Sequence, residues 1–114
     1  MSERTYQNPD TPTDLEKKHV PMIEIIGDLK FGSEVTIKIK VGEEAHPMEE
    51  DHYITFIALK NDEDMVDAKE LNPQQTPEAE FSLKLNKNCH LRAVTECNIH
   101  GTWYLDKKVE LTRE

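Results

Sequence analysis

Residues 35–41 read Val-Thr-Ile-Lys-Ile-Lys-Val, and this stretch carries the clearest structural signal in the chain. Its β-branched apolar side chains alternate with threonine and lysine, as expected of a β-strand that buries one face. The same alternation recurs at residues 81–85, which read Phe-Ser-Leu-Lys-Leu. The sequence therefore predicts short strands that each contribute one face to a shared core.

Further runs of the same kind extend along the chain on both sides of this strand. They alternate in polarity or are rich in β-branched and aromatic residues, and they cover residues 22–26, 53–59, 91–97 and 102–111. Turn-forming residues separate the runs, at 27–28, 32–33, 61–62, 72–73 and 86–88. About seven short strands at regular spacing predict an all-β fold, an antiparallel immunoglobulin-like β-sandwich.

The length of 114 residues suits one domain. Residues 1–14 are polar and contain two prolines, so we predict a flexible N-terminal segment followed by a β-sandwich domain at 15–114. No run of about 18 apolar residues is present to span a membrane, and the N-terminus lacks the apolar stretch of a secretory signal. A cytoplasmic location is therefore expected.

Charge and composition limit the classes of partner. Fourteen lysines and arginines stand against 23 acidic residues, for a net charge of -9, which argues against nucleic acid or an anionic membrane as partner. The apolar fraction of 36% is lean, so a bound metal would add to stability. Two cysteines do not make a disulfide framework, and in a reducing compartment a thiolate can bind metal.

The residues able to bind a metal cluster near the predicted strand ends. Cys97-Asn98-Ile99-His100 places a thiolate and an imidazole three positions apart at the end of a strand. His46 and His52 bracket a proline followed by acidic residues, a pattern that predicts a helical turn. His19 stands where the N-terminal segment meets the first strand. Together these residues predict one metal site.

Mixed imidazole and thiolate ligation suits iron, copper or zinc and excludes calcium or magnesium. A blue-copper site needs a weak axial ligand, usually a methionine soon after the histidine, and residues 101–105 contain none. Zinc would be satisfied by four ligands, as in a binding module with a structural metal. Five ligands leave an octahedral metal one open position, which favours iron, while an electron-transfer copper protein and a structural zinc module remain alternatives.

Three motifs in this order resemble the superoxide reductase family, specifically the iron domain shared by neelaredoxin and desulfoferrodoxin. They are Lys18-His19-Val20-Pro21, the stretch 46–52, and 97–101 with Trp103, and the resemblance covers roughly residues 15–112. It implies an immunoglobulin-like sandwich with one mononuclear non-haem Fe(II) centre. The ligands that it implies are four equatorial imidazoles and one axial thiolate, from His19, His46, His52, His100 and Cys97.

The resemblance also implies an activity, the reduction of superoxide to hydrogen peroxide with electrons from a donor protein such as rubredoxin. Lys18 corresponds to a lysine that draws the anion in and supplies protons. Many members carry a glutamate two residues before the first histidine, where this chain has Lys17, with Glu16 one position earlier. Either Glu16 reaches the metal by a different loop path or the ferric site holds water or hydroxide as its sixth ligand, and we expect the second. His90 and Cys89 match no ligand position, and a homo-oligomer is compatible with the sandwich.

Overall fold

The computed structural model describes residues 3–42 and 48–112. In these ranges one short helix precedes seven strands: α1 (Asp14–His19), β1 (Pro21–Ile26), β2 (Ser33–Val41), β3 (Ile54–Asn61), β4 (Asp64–Glu70), β5 (Glu78–Leu85), β6 (Cys89–Cys97) and β7 (Gly101–Val109). The strands form two antiparallel sheets, ordered β1-β2-β5 and β4-β3-β6-β7. The predicted all-β, immunoglobulin-like sandwich is confirmed.

Strand β2 lies at the centre of its sheet, and the alternation that predicted it decides which of its faces is buried. Val35, Ile37, Ile39 and Val41 are at most 2% exposed, whereas the residues between them face outward or are only partly covered. Cross-strand pairing then places Ile37 opposite Phe81 of β5. The inner faces of both sheets close one apolar core, which supplies the main stabilisation of a fold of this kind.

The second sheet determines where the chemistry-bearing residues lie. Strand β6 runs between β3 and β7, and its last residue, Cys97, is paired with Gly101, the first residue of β7. Only residues 98–100 connect these two strands. The ends of β6 and β7 are therefore held by ladder hydrogen bonds, and the short loop between them has little freedom to move.

Three local features differ from the expectation. Strand β4 was not predicted, because it is an edge strand with only Val66 partly buried and therefore shows no alternation. Helix α1 was not predicted either, although Thr13 and Glu16 form a capping box that starts it. The helical turn expected after Pro47 is instead a tight turn, in which Glu49 and His52 exchange two backbone hydrogen bonds of 2.9 and 3.1 Å.

The N-terminal segment makes contacts with the sandwich. Arg4 forms a parallel bridge with Trp103 of β7, and Glu3 forms an ion pair with Arg92, N–O 3.2 Å. The division into a flexible segment at 1–14 and a domain at 15–114 stays a prediction. Among the residues described, no helix has the length and apolar character needed to cross a membrane.

Candidate metal centre

Four of the predicted ligand residues lie together at one end of the sandwich. They are His19 at the end of α1, His52 after the tight turn, Cys97 at the end of β6, and His100 in the β6–β7 loop. One candidate ligand atom from each lies within 4.8 Å of all the others. Ligands bound about 2.0–2.3 Å from one ion are separated by distances of this order, so the arrangement fits a single metal ion.

The helix α1 determines the position of His19. The capping box fixes its first turn, and Nδ1 of His19 donates to the carbonyl of Leu15 one turn earlier, at 2.7 Å. That tautomer leaves a basic Nε2, which is the form in which imidazole binds a metal, and the hydrogen bond fixes the orientation of the ring. The ring is 2% exposed and stacks on Trp103, with centroids 5.2 Å apart and planes 25° apart.

The β6–β7 loop brings a cysteine sulfur and an imidazole together. Cys97 is 1% exposed, and its Sγ lies 3.6 Å from Nδ1 of His100. Gly101 ends the loop with a φ of 84°, a left-handed conformation that glycine adopts without strain. The indole Nε1 of Trp103 donates to the His100 carbonyl at 3.2 Å, so the loop backbone is held on the side of β7 as well.

Asn98 connects this loop to the segment that carries His52. Its side-chain carbonyl accepts from the Tyr53 amide at 2.9 Å, and its side-chain amide donates to the Asp51 carbonyl at 3.1 Å. The backbone amide of Asn98 also donates to the Tyr53 carbonyl at 3.2 Å. These three bonds hold the residues on both sides of His52 against the loop. Sequence reasoning missed this role, and the asparagine inside the Cys-x-x-His stretch was the only signal for it.

The three imidazoles pack against one another. The ring centroids of His19 and His100 are 4.7 Å apart, and those of His52 and His100 are 5.1 Å apart, both pairs with edge-to-face geometry. Burial, and then the nearby charges of His52 and Arg4, lower the pKa of His100. A lowered pKa favours the neutral imidazole, which is the protonation state that a metal ligand requires.

The other predicted site residues are placed as follows. His46 lies outside the described residues. Lys18 is exposed in the last turn of α1, directly before His19. Glu16 is buried, and its carboxylate oxygens accept from the amides of Thr13 at 3.0 Å and Gln7 at 3.3 Å. One oxygen of Glu16 thus caps the helix and the other binds the N-terminal segment at Gln7, and the identity of the sixth ligand stays a prediction.

Two further residues match their sequence-based interpretation as bystanders. His90 is exposed in β6, and its Nδ1 lies 3.9 Å from a carboxylate oxygen of Asp62. Cys89 is 4% exposed. Burial, and secondarily the negative charge of Asp62, raise the pKa of the Cys89 thiol, against a smaller opposing effect of Lys87. A buried, protonated thiol is a poor metal ligand, and neither residue belongs to the four-residue cluster.

Comparisons with known proteins show which family this chain belongs to. A family model described as desulfoferrodoxin matches residues 11–106. The desulfoferrodoxin homolog of Methanothermobacter thermautotrophicus is 44% identical over 88 residues, which are 77% of this chain but 63% of that protein. The superoxide reductase of Pyrococcus abyssi is 33% identical over 105 residues, covering 82% of this chain and 89% of its own. The chain therefore spans less than two thirds of the length of the Methanothermobacter thermautotrophicus protein.

A solved structure has the same fold. The superoxide reductase (neelaredoxin) from Ignicoccus hospitalis superposes with a TM-score of 0.74 at 31% sequence identity. The superposition covers 84% of this chain and 81% of that one. A match of this extent shows that the two chains share their overall fold.

Proposed function

This chain belongs to the desulfoferrodoxin family, and on that premise we propose that it is a superoxide reductase. It would catalyse the reaction of superoxide, one electron and two protons to give hydrogen peroxide. The observation that carries the proposal is the gathering of His19, His52, Cys97 and His100 within 4.8 Å in a chain of this family. We further propose that His46 completes the site as a fifth ligand.

The donor set fits iron. Imidazole suits several transition metals, and a thiolate adds a soft anionic ligand that hard cations do not select. With five ligands from the chain, a six-coordinate ion keeps one position open for a small anion. When bound, iron would supply the single electron that superoxide needs, and a donor protein such as rubredoxin would restore it.

The chain's own residues have separable tasks in this proposal. The Cys97 thiolate is almost fully buried and would donate electron density to the iron, which would stabilise the ferric state. His19 is oriented by the Leu15 carbonyl and by the Trp103 ring. We propose that Lys18, which is exposed and directly precedes His19, attracts the superoxide anion and donates a proton as peroxide leaves.

The first test is the visible spectrum of the iron-loaded, oxidised protein. We expect a thiolate-to-iron(III) charge-transfer band in the red, bleached by a reductant and restored when superoxide is added to the reduced form. Peroxide should be produced in step with the returning band. A protein that is colourless and holds one tightly bound zinc would contradict the proposal and favour the structural-zinc alternative.

Lys18 gives a second prediction. Lys18→Met is expected to slow the reaction with superoxide roughly 3- to 10-fold at low salt, because a cation near the site raises the local concentration of an anionic substrate. The difference should shrink as added salt shortens the screening length from tens of ångströms to a few. The measurement is the second-order rate constant for superoxide at several ionic strengths.

The matched control for this prediction is Lys17→Met. Lys17 precedes Lys18 in the same helix and is half-buried. Its substitution by methionine changes the net charge by the same amount as Lys18→Met. Lys17→Met should reduce the rate by no more than half as large a factor as Lys18→Met does. The reason is that neighbouring side chains of a helix point about 100° apart, so Lys17 points in a different direction from Lys18. Equal effects of the two variants would remove the specific role of Lys18 and leave only the effect of net charge.

A further inference from the structure

The N-terminal segment pairs with the edge strand β7 close to the candidate metal site. The amide of Arg4 donates to the Thr102 carbonyl at 3.0 Å, and the amide of Tyr104 donates to the Arg4 carbonyl at 2.8 Å. Residue 4 thus forms a parallel bridge with Trp103, although α1 and the strands β1 to β6 lie between them in sequence. The side chain of Arg4 is thereby placed next to the loop that carries Cys97 and His100.

The guanidinium of Arg4 makes two contacts there. Its central carbon lies 4.3 Å from the centroid of the Trp103 ring, a cation–π distance. Its Nη2 donates a hydrogen bond to the carbonyl of His100. The same nitrogen is 3.7 Å from the position that a Cβ on Gly101 would occupy. A side chain at position 101 would therefore contact the guanidinium at an ordinary van der Waals distance, whereas the positive φ of 84° would strain its backbone.

Through these contacts Arg4 touches both supports of the candidate ligands. The His100 carbonyl accepts from Arg4 and from the Trp103 indole, which fixes the backbone of the ligand loop. Trp103 in turn stacks on the ring of His19. Arg4, Trp103 and His19 therefore form a continuous set of contacts that runs from the N-terminal segment to two of the ligand side chains.

We propose that Arg4 is a positioning residue of the metal site and that the N-terminal segment and metal binding stabilise each other. The inference rests on the metal site of the proposed function, but not on the reaction with superoxide. Groups that orient metal ligands through hydrogen bonds typically contribute 10–100-fold to metal affinity. Because coupling between two equilibria is reciprocal, a bound metal must hold the segment as much as the segment holds the metal.

The test uses Co²⁺ as the metal probe, titrated into the metal-free full chain and followed by visible absorption. Arg4→Met is expected to raise the dissociation constant about tenfold, which equals about 1.4 kcal/mol. Arg4→Lys keeps the charge but lacks the planar fork that donates to a carbonyl while lying on a ring. It should therefore weaken binding nearly as much as Arg4→Met.

The charge-matched control is Lys108→Met. Lys108 lies near the other end of β7, is exposed, and pairs with Glu110 at 3.1 Å, so its removal changes the net charge without touching the ligand loop. We expect an unchanged dissociation constant for this variant. Wild-type affinity in Arg4→Met would overturn the inference, and wild-type affinity in Arg4→Lys would overturn it by showing that charge alone is sufficient.

Reciprocity gives a readout that needs no variant. The Tyr104 amide, bonded to the Arg4 carbonyl, should exchange its hydrogen about tenfold more slowly in the Co²⁺-loaded protein than in the metal-free protein. An exchange rate independent of metal would overturn the coupling. A wild-type chain that binds no Co²⁺ would overturn both this inference and the proposed function, whereas Co²⁺ binding that ignores Arg4 would overturn this inference alone.

Discussion

Cys97→Ser is expected to lower the rate of superoxide reduction by at least about 100-fold. Loss of a group that only orients a metal ligand already lowers metal affinity or activity 10- to 100-fold. Serine has nearly the same shape, but its hydroxyl stays protonated at neutral pH and is a hard, weak ligand where a soft anionic one is needed. The oxidised variant should lack the red charge-transfer band. The measurements are the rate constant for superoxide and the visible spectrum of the iron-loaded protein.

The matched control is Cys89→Ala, which removes the second thiol of the chain. Cys89 is also buried in β6, but it lies at the other end of that strand from Cys97 and outside the four-residue cluster. The control should keep both the band and the activity, with a modest loss of stability from the smaller core side chain. A band that survives Cys97→Ser and disappears with Cys89→Ala would reverse the assignment of the thiolate.

Removal of the metal is expected to lower the melting temperature by roughly 10 to 20 °C. A ligand that binds only the native state at about 1,000 times its dissociation constant adds about 4 kcal/mol to the free energy of unfolding. For a domain of 114 residues each kcal/mol shifts the melting temperature by about 3 to 5 °C. The candidate ligands come from α1, the tight turn and the end of β6, so an ion bound there cross-links distant parts of the chain.

The comparison is a pair of thermal melts, one of iron-loaded protein and one after treatment with a chelator. Cys97→Ser serves as the control, because a site that no longer holds the metal tightly should melt near the temperature of the metal-free wild type in both conditions. Equal melting temperatures for loaded and chelated wild type, to within about 2 °C, would show that the site contributes little to stability.

Most of the fold was predictable because the buried strands show their environment in their own sequence. β2 and β5 each place one face in the core, so their side chains alternate between apolar and polar. Strand β4 was not predicted because it is an exposed edge strand held by backbone hydrogen bonds to β3, and these do not require alternating side-chain polarity. The six-residue α1 escaped because it is too short to establish a helical period.

The candidate site was predictable to the extent that its residues form local motifs. The spacing of Cys97 and His100, and the presence of His19 and His52, can be read along the chain. The supports around them depend on tertiary contacts. Asn98 bonds to a segment 45 or more residues away, and Arg4 bonds to a residue 96 positions away. Nothing in their immediate neighbours indicates such partners.

The assembly of the cluster from distant segments has a consequence for biosynthesis. His19 and Cys97 lie near opposite ends of the sandwich in sequence, and they meet only when β1 and β6 have docked across the core. Closing so long a loop is slow and comes late in folding. We therefore expect the nascent chain to bind metal weakly through its separated histidines, and to form the complete site only after the ribosome has released most of the domain. Under the proposed function, iron would bind at the end of folding and would not initiate it.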